Sequence, residues 1–436
     1  MISHKRYELD ENELPRNWYN ILPDLPTALP PPLNPATNEP IAPSDLEALF
    51  PKELIKQEVS SEREIPIPNE IREVYKQIRP SPLIRAFGLE KTLKTKSRIY
   101  YKYEGERSPT GSHKVNTAVA QAYYNAKEGI EALTTETGAG QWGSALAYAA
   151  NLFDLACEVY MVRSSFDHKP HRKTIMELFG ATVFPSPSTN TDFGNKLLTE
   201  DPNNPGSLGI AISEAIFQSL VSQTTKYSLG SVLNHVLLHQ SIIGLEAKKQ
   251  FQIAEDLVGP DYIIGCVGGG SNFAGLAYPF LHEKFKNGYD VKCIAAESTA
   301  ASKMSDGDYK YDFGDTAKTT PLLKMHTLGS DFIPPPIHAG GLRYHGCAPS
   351  LSVLIDNDMV KPVKFNQHEA FQAANVFVKS EGILPAPESA HAIAATMSLV
   401  NQLGTQERTI VFNLSGHGLF DLEGYRKFIS KELEAI

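Results

Sequence analysis

The sequence predicts an α/β protein built from two parallel-sheet domains, with helices on both faces of each sheet and a cleft between them. Two observations predict this fold. From about residue 95, β-branched and aromatic runs alternate with segments of helical apolar spacing, and such alternation is typical of parallel sheets covered by helices. Glycine-rich turns also follow two of the predicted strands, at the position where open α/β sheets bind ligands.

The predicted elements justify this fold in chain order. SRIYYKYEG predicts the first strand, and KVNTAVAQAYYNAKEG has helical spacing that ends at Gly129. A helix from about Asp421 closes the chain. Between them the predicted strands and helices alternate as EALTTET (strand), QWGSALAYAANLF (helix), ACEVYMV (strand), HRKTIMELFG (helix), ATVFPS (strand), DYIIGCVGGG (strand), SNFAGLAYPFLHEKF (helix), VKCIAAES (strand), ESAHAIAATMSLVNQ (helix) and RTIVFNLSG (strand).

The domain organisation is predicted in three parts. Residues 1–80 form an N-terminal extension, because LPTALPPPLNPATNEPIAP is too rich in proline for regular structure. We expect this extension to be ordered on the main body, with a short helix near residues 44–54; a partly disordered arm is the alternative. Residues 81–230 form an N-terminal α/β domain that includes a mobile subdomain at about 128–216. Residues 231–436 form a C-terminal α/β domain.

The bulk properties exclude several classes of function. A formal net charge of −9 argues against a nucleic-acid surface. No apolar stretch approaches the roughly 20 residues of a membrane span, and the charged N-terminus lacks the apolar core of a signal peptide, so a cytoplasmic location is expected. None of the four cysteines lies in a C-x-x-C pair, which indicates reduced thiols rather than a zinc site or disulfides.

The first glycine-rich turn, GAGQWG at residues 138–143, matches the G-x-G-x-x-G pattern of dinucleotide-binding folds. That pattern needs an acidic residue at the end of the next strand. This strand ends in Val-Arg-Ser-Ser at 162–165, and Glu158 lies inside it. A nicotinamide-dependent dehydrogenase is therefore the weakest interpretation.

The second glycine-rich turn is CVGGGSN. Gly268, Gly269 and Gly270 allow a ligand to approach the backbone closely, and the following helix offers free N–H groups to a phosphate. Ser271 and Asn272 add side-chain donors. No Gly-Lys-Ser/Thr follows, so this is not a nucleoside-triphosphate loop. The turn predicts a monophosphate site, and a simple tight turn between strand and helix is the alternative.

Four further residues carry chemistry. Lys114 begins a helix, where the helix dipole lowers the pKa of an amine as a Schiff-base lysine requires. Glu136 lies at the carboxyl end of a strand, and Glu388 opens a late helix. Ser415 follows the last strand as an expected exposed serine among glycines, where a hydroxyl can meet a heterocyclic nitrogen. Each residue also has an ordinary structural explanation, such as a solvated lysine or an acidic residue in a first helical turn.

In their order along the chain, these segments resemble the β chain of tryptophan synthase. SHKVN is similar to the Schiff-base motif of that family, ETGAGQWG to its substrate-carboxylate loop and CVGGGSN to its pyridoxal-phosphate (PLP) loop. GILPAPESAHA and NLSGHG are similar to its two later cofactor segments. The resemblance runs from about residue 80 to the C-terminus. The proline-rich extension favours the longer, second-type branch of the family.

The resemblance implies an α/β enzyme of PLP fold type II, with the cofactor in the cleft. It implies a carbon–oxygen lyase of tryptophan biosynthesis that joins L-serine to indole and releases water. Lys114 would hold PLP and abstract the α-proton, and Glu136 would protonate the leaving hydroxyl and guide the attack of indole. A neutral Ser415 would leave the ring nitrogen unprotonated, which favours β-elimination and replacement.

The resemblance also implies two sets of binding residues. The substrate carboxylate would lie against the backbone N–H groups of Thr137, Gly138, Ala139, Gly140 and Gln141. The cofactor would contact His113, Lys114, Asn116, Gln141, Gly268, Gly269, Gly270, Ser271, Asn272, Glu388 and Ser415.

The sequence departs from the family pattern at several positions. Trp142 replaces a histidine, and His417 and Leu419 stand where the shorter branch has arginine and aspartate. Arg343 replaces an aspartate that helps to hold the substrate hydroxyl. Since a guanidinium matches phosphate geometry, Arg343 suggests O-phospho-L-serine as an alternative donor. The competing hypothesis is that Arg343 forms a structural ion pair in the closed state.

Two other functions are compatible with these residues. One is deamination of serine or threonine, which shares the first half of the reaction, and the other is an inactive scaffold that binds PLP or a partner. The resemblance further implies Na⁺ or K⁺ at backbone carbonyls of Gly268, Leu342 and Tyr344. We expect a homodimer that uses free indole, without a stable complex with an α chain, because the extension can block or replace that docking face.

Overall fold

The structure is a computed structural model that describes residues 5–434. Its strands are β1 (Arg6–Tyr7), β2 (Asn17–Tyr19), β3 (Glu64–Pro66), β4 (Leu83–Arg85), β5 (Arg98–Tyr103), β6 (Ala132–Thr137), β7 (Ala156–Val162), β8 (Thr182–Ser186), β9 (Thr225–Tyr227), β10 (Tyr262–Cys266), β11 (Lys292–Ser298), β12 (Asp308–Phe313), β13 (Leu322–Thr327), β14 (Val360–Phe365) and β15 (Thr409–Leu414). Its α-helices are α1 (Lys52–Glu58), α2 (Asn69–Ile78), α3 (Phe87–Leu93), α4 (Val115–Lys127), α5 (Gln141–Leu152), α6 (Arg163–His168), α7 (Pro170–Leu178), α8 (Asp192–Glu200), α9 (Leu208–Ser219), α10 (Asn234–Gln240), α11 (Ile242–Glu255), α12 (Ser271–Asn287), α13 (Pro349–Asp356), α14 (Gln367–Glu381), α15 (Pro387–Leu403) and α16 (Leu422–Ile429).

The larger sheet has the strand order β1-β4-β5-β15-β10-β11-β14. From β5 to β14 all pairings are parallel, whereas β1 and β4 join antiparallel at one edge. All six residues of the central strand β15 are buried, as expected for a strand that helices cover on both faces.

The smaller sheet is wholly parallel, with the order β8-β7-β6-β9. The fold is therefore α/β with two parallel-sheet bodies, as predicted. Strands β4 and β5 lie in the larger sheet, although the predicted boundary assigns them to the N-terminal domain together with β6 to β9. The division into domains and the mobility of residues 128–216 stay predictions.

The extension packs along the main body. β1 adds an edge strand to the larger sheet, and β2 pairs with β3. Trp18 is fully buried, with its ring centroid 4.6 Å from that of His239 on α10. The predicted helix near residues 44–54 is displaced: a short 3₁₀ turn covers Pro43–Leu46, and α1 begins only after Pro51, which cannot sit inside a helix.

Within residues 5–434 there is neither a helix able to span a membrane nor a cluster of metal-binding side chains. None of the helices within residues 5–434 combines the length and the apolar character needed to cross a membrane. The same residues contain no group of three or more His, Cys, Asp or Glu side chains placed to hold a metal ion. The four cysteines are buried free thiols.

Candidate active site

The carboxyl ends of β6, β10 and β15 meet around one cavity between the two sheets. Its walls are formed by most of the residues that the motifs single out: His113, Lys114, Glu136, Thr137, Gly138, Ala139, Gln141, Gly268, Gly269, Gly270, Ser271, Asn272, Leu342, Tyr344, Glu388 and Ser415. Segments about 300 residues apart in the sequence, such as those of His113 and Ser415, therefore lie together around one cavity, as in a ligand-binding site.

Lys114 lies at the start of α4 and faces this cavity. Burial lowers the pKa of its amine, while the carboxylates of Glu388 and Glu136 partly oppose this shift. Nζ of Lys114 has no hydrogen-bond partner among residues 5–434. A buried amine with a lowered pKa and no fixed partner is suited to act as a nucleophile or a base.

Glu136 lies in β6, one residue before its end. Its carboxylate accepts a hydrogen bond of 2.6 Å from the Tyr227 hydroxyl on the neighbouring strand β9. Burial raises the pKa of Glu136 to about 7, and the hydrogen bond from Tyr227 limits the rise. Near neutral pH this carboxyl group can therefore both donate and accept a proton, as a general acid–base requires.

The first glycine-rich turn leads into α5. Gly140 has a φ of +91°, and a side chain there would lie 2.7 Å from Cβ of Arg172, so only glycine fits. The free N–H groups at the start of α5 are suited to bind an anion such as a substrate carboxylate. Trp142 is buried and donates from Nε1 to Thr135 Oγ1 at 2.6 Å.

Glu388 links this turn to a second segment. One carboxylate oxygen accepts from Gln141 Nε2 at 3.1 Å, and the other accepts from the Gly341 N–H at 2.8 Å. Glu388 lies in the first turn of α15, where the helix dipole also favours a carboxylate. This residue fixes the walls of the cavity relative to each other.

The second glycine-rich turn forms a cradle at the start of α12. Gly270 has a φ of +120°, and a side chain on Gly269 would lie 2.6 Å from Ser231 Oγ. Ser231 Oγ accepts from the Ser271 N–H at 3.1 Å, and Ser271 donates to the Gly230 carbonyl at 3.1 Å. The cradle and the free N–H groups of α12 fit a phosphate.

Ser415 lies at the end of β15. The sequence suggests an exposed serine, but its side chain is buried, because β15 is central and the segment packs on α15. Its hydroxyl lies 2.6 Å from Ser389 Oγ and 3.7 Å from Cys266 Sγ. All three groups are neutral, since burial raises the pKa of the Cys266 thiol to about 12.

His113 connects the lysine to this serine. Its backbone N–H donates to the Ser415 carbonyl at 2.9 Å. Burial lowers the pKa of the imidazole to about 3, so the ring is neutral, and Nε2 is buried without a partner. A partnerless buried nitrogen beside the lysine marks a place for a polar group of a ligand.

Three predicted residues do not line the cavity: Asn116, Gly140 and Arg343. Asn116 Oδ1 accepts from Arg79 at 2.7 Å, and its amide donates to Gln240 at 3.0 Å, so the side chain belongs to a buried polar network. Gly140 acts through its backbone geometry. Arg343 is not part of the cavity wall, although its neighbours Leu342 and Tyr344 are.

The sequence analysis missed several residues of the site. Tyr227 and Ser231 lie on β9 and the loop after it, and Ser389 follows Glu388. Ser231 follows a glycine in a small-residue loop, which is a usable signal. Apolar side chains of the extension and of α9 also line the cavity, without any sequence motif: Leu49, Phe50, Leu208, Ile212 and Ile216.

The chain is similar to one described protein family and to several relatives. A family model described as pyridoxal-phosphate dependent enzyme matches residues 74–416. Tryptophan synthase beta chain 2 of Pyrococcus furiosus is 58% identical over 429 residues, which cover 98% of this chain and 95% of the relative. Tryptophan synthase beta chain 2 of Methanosarcina acetivorans is 56% identical over 427 residues, covering 98% and 96%.

Solved structures share the fold at low sequence identity. An L-serine ammonia-lyase from Rhizomucor miehei aligns with a TM-score of 0.61 at 17% identity, covering 81% of this chain and 98% of that chain. Threonine deaminase isoform 2 from Solanum lycopersicum aligns with a TM-score of 0.60 at 17% identity, covering 84% and 94%. At this identity the likeness concerns the fold alone.

The fold and the site together define a pyridoxal-phosphate dependent lyase of fold type II. Within that class, the chain belongs to the tryptophan synthase beta chain family. The match extends through the N-terminal extension, because the aligned region covers 98% of the chain.

Proposed function

We propose that this enzyme catalyses the β-replacement of L-serine by indole, giving L-tryptophan and water. The observation that carries the proposal is the convergence of Lys114, Glu136 and the glycine cradle of α12 on one cavity. The relatives named above are tryptophan synthase beta chains of similar length, which supports the same reaction for this chain.

Three parts of the cavity would hold the cofactor. Lys114 would bind its aldehyde carbon, the cradle of Gly268 to Ser271 its phosphate, and Ser415 its ring nitrogen. When bound, PLP supplies an electron sink for the bonds that break at Cα and Cβ of the substrate. Because the groups around Ser415 are neutral, the ring nitrogen would have no charged partner to protonate it.

The chain's own residues supply binding and proton transfer. The backbone N–H groups at the start of α5 hold the substrate carboxylate and orient Cα toward Lys114. The lysine amine takes the Cα proton, and Glu136, protonated in part near pH 7, gives a proton to the leaving hydroxyl so that water departs. The Glu136 carboxylate then faces the nitrogen of indole as indole C3 bonds to Cβ. The proton that C3 loses restores the Glu136 acid, and Lys114 returns the abstracted proton to Cα. The apolar wall around Ile212 excludes water from this step.

The test is an absorbance spectrum together with a product assay. Purified enzyme with PLP is expected to show a visible cofactor band that L-serine shifts and indole restores, with L-tryptophan as the product. Lys114→Ala removes the band and the activity. Pyruvate release at the same rate with and without indole would instead identify a serine deaminase.

A second donor, O-phospho-L-serine, is favoured by the surroundings of Arg343. The side chain is 8% exposed and donates to the Pro334 carbonyl at 2.8 Å and to Ser164 Oγ at 3.3 Å. No carboxylate forms an ion pair with it within residues 5–434, and burial alone lowers the pKa of the guanidinium to about 10. A buried guanidinium without an anion is suited to bind one. Because Arg343 does not line the cavity, its side chain would have to turn toward the cavity to reach the phosphate of this donor.

Comparing kcat/KM for L-serine and for O-phospho-L-serine, with indole in excess, identifies the preferred donor. If O-phospho-L-serine is used, its kcat/KM exceeds that of L-serine, phosphate is released, and Arg343→Met lowers kcat/KM for phosphoserine only. A large advantage for L-serine that Arg343→Met leaves unchanged assigns Arg343 to structure. Either result leaves the synthase reaction itself in place.

We also infer a homodimer that takes free indole. The extension supplies Leu49 and Phe50 to the cavity wall, where the shorter branch of the family receives indole from a docked α chain. Size-exclusion chromatography with the matching α chain should show two separate species, and a stable, mutually activated complex would contradict the proposal. The cytoplasmic location stays a prediction that cell fractionation checks.

The monovalent cation expected at Gly268, Leu342 and Tyr344 meets a specific difficulty. The Lys303 ammonium donates a 2.8 Å hydrogen bond to the carbonyl of Val267, next to Gly268. A second cation at the neighbouring Gly268 carbonyl would lie close to this charge in a dry interior, where like charges repel strongly. The donor set therefore does not fit a free Na⁺ or K⁺.

A further inference from the structure

Lys303 is a fully buried lysine beneath the phosphate cradle. It follows the short 3₁₀ turn after β11, and its side chain has no exposed surface. Burying an ammonium costs several kcal/mol unless it is well paired. Its position therefore needs a compensating interaction or a function.

The pairing of Lys303 is incomplete. An ammonium has three N–H donors, and the described residues provide one hydrogen bond, to the Val267 carbonyl at 2.8 Å. The carboxylate nearest to it, Glu297, lies 3.9 Å away. Both oxygens of Glu297 already accept backbone N–H groups, from Met304 at 2.9 Å and Ser305 at 2.8 Å.

The carbonyl that Lys303 binds belongs to the phosphate loop. Val267 precedes Gly268, whose Cα packs so closely on the Gly341 carbonyl that a side chain would lie 2.1 Å from its oxygen. On the other side of the loop, the Ala348 N–H donates to the Gly269 carbonyl at 2.8 Å. Lys303 thus joins β11 to a loop that in turn contacts the segment of Gly341 and Ala348.

We propose that the Lys303 ammonium takes the place of a monovalent cation beneath the phosphate loop. An ammonium and K⁺ have similar size, and both bind carbonyl oxygens. A covalently attached cation cannot dissociate, so the enzyme keeps its cradle in shape without Na⁺ or K⁺. Lys303 is a positioning residue in this proposal, because it touches the loop and not the reacting atoms.

The experiment compares the wild-type enzyme and three variants in tetramethylammonium chloride and in KCl, NaCl or CsCl at equal ionic strength. Lys303→Ala removes the ammonium and leaves space for an ion, whereas Lys303→Met removes the charge and fills the space. Lys248→Ala, which breaks the ion pair of Lys248 with Glu283 between α11 and α12, is the control for loss of a lysine elsewhere. The readouts are Tm, PLP retention on gel filtration and kcat.

Wild-type enzyme and Lys248→Ala are expected to give the same values in all four salts. Lys303→Ala should lose roughly 10- to 100-fold in kcat in tetramethylammonium, as for other residues that support a binding group indirectly, and small cations should restore most of it. Its Tm and PLP retention should recover in the same salts. Lys303→Met should be impaired in every salt.

Two outcomes would overturn the proposal. Strong activation of the wild-type enzyme by K⁺ or Na⁺ would show that a free cation is required in spite of Lys303. Equal impairment of Lys303→Ala in all salts would assign the lysine to the pair with Glu297 alone. Tm and PLP retention do not depend on the reaction catalysed, so failure of the synthase assignment is distinguishable from failure of this proposal.

Discussion

Arg79 and Lys102 are fully buried cations with carboxylate partners, whereas Lys114 faces the active-site cavity without such a partner. Arg79 donates to Glu104 at 2.8 Å and to Glu246 at 2.8 Å, and Lys102 donates to Glu246 at 2.7 Å. These four side chains form the Arg79 network, in which each cation has a carboxylate. In the active-site cavity, Lys114 has no such partner.

The carboxylates of the two regions differ accordingly. Burial would raise the pKa of Glu104, but the guanidinium of Arg79 outweighs it and lowers the pKa to about 2. Glu136 is also buried, but the side chains that donate to it are neutral hydroxyls, chiefly that of Tyr227, and its pKa rises to about 7. The same residue type is therefore permanently charged in one region and able to exchange a proton in the other.

The comparison shows how pairing separates structure from chemistry in one interior. A buried charge with fixed partners keeps one protonation state and ties segments together. A buried charge without them has a shifted pKa and can act on a ligand. Removing a charge should thus reduce stability in the Arg79 network and reduce activity in the cavity.

The largest expected effect is the loss of activity in Glu136→Gln. The amide still accepts from Tyr227 but cannot transfer a proton, so kcat for tryptophan formation should fall by about 10² to 10⁴-fold. Stability should be unchanged, since no charge pair is broken. Steady-state kinetics and thermal unfolding check both statements. A variant that keeps more than a third of the activity would remove Glu136 from the proton-transfer step.

The next largest effect is the destabilisation caused by Arg79→Met. It leaves Glu104 and Glu246 buried without their guanidinium, and breaking a buried pair in this way costs about 3–5 kcal/mol. Denaturant unfolding measures the loss. Arg426→Met, which breaks the exposed pair with Glu423, should leave the midpoint unchanged.

Arg343→Met is the matched variant on the other side of the comparison. It removes a guanidinium that has no carboxylate partner, so stability should stay the same or increase. If Arg343→Met were as destabilising as Arg79→Met, the distinction between paired and open charges would fail.

The contribution of the Arg79 network to the free energy of unfolding should also depend on pH in the acid range. The folded pKa of Glu104, about 2, lies below its ordinary value of 4.5. Its contribution is therefore complete above about pH 4.5 and is lost as the pH falls toward 2. Unfolding free energies measured across this range should fall in the wild type and fall less in Glu104→Gln, which has no carboxylate to protonate.

The smallest expected effect is a shift of the pH profile in Tyr227→Phe. The Tyr227 hydroxyl stabilises the Glu136 carboxylate, so its removal raises the pKa of Glu136 further. The protonated acid then persists to higher pH, and the descending limb of the kcat profile moves up in pH. A downward shift would mean that the hydroxyl stabilises the protonated form instead.

The extension shows why some site residues were not predictable. Tyr227 donates its backbone N–H to the Leu49 carbonyl at 3.0 Å, and the Phe50 ring lies 6.0 Å from the Tyr227 ring. These contacts join residues about 180 positions apart. A proline-rich segment has no periodicity that reports which surface it covers, so only the folded chain shows that it reaches the cavity.

The sequence by itself determined the α/β class, the lysine, the acid and the two glycine-rich turns. These follow from local rules, because a strand followed by glycines and a helix makes an anion site wherever it occurs. Only the tertiary structure decided which buried charges are paired. It moved Asn116 from the cavity to a hydrogen bond with Arg79 and left Arg343 without a carboxylate. It also set Lys303 against the phosphate loop. The physical reason is that burial and pairing depend on contacts between distant segments, which local spacing does not encode.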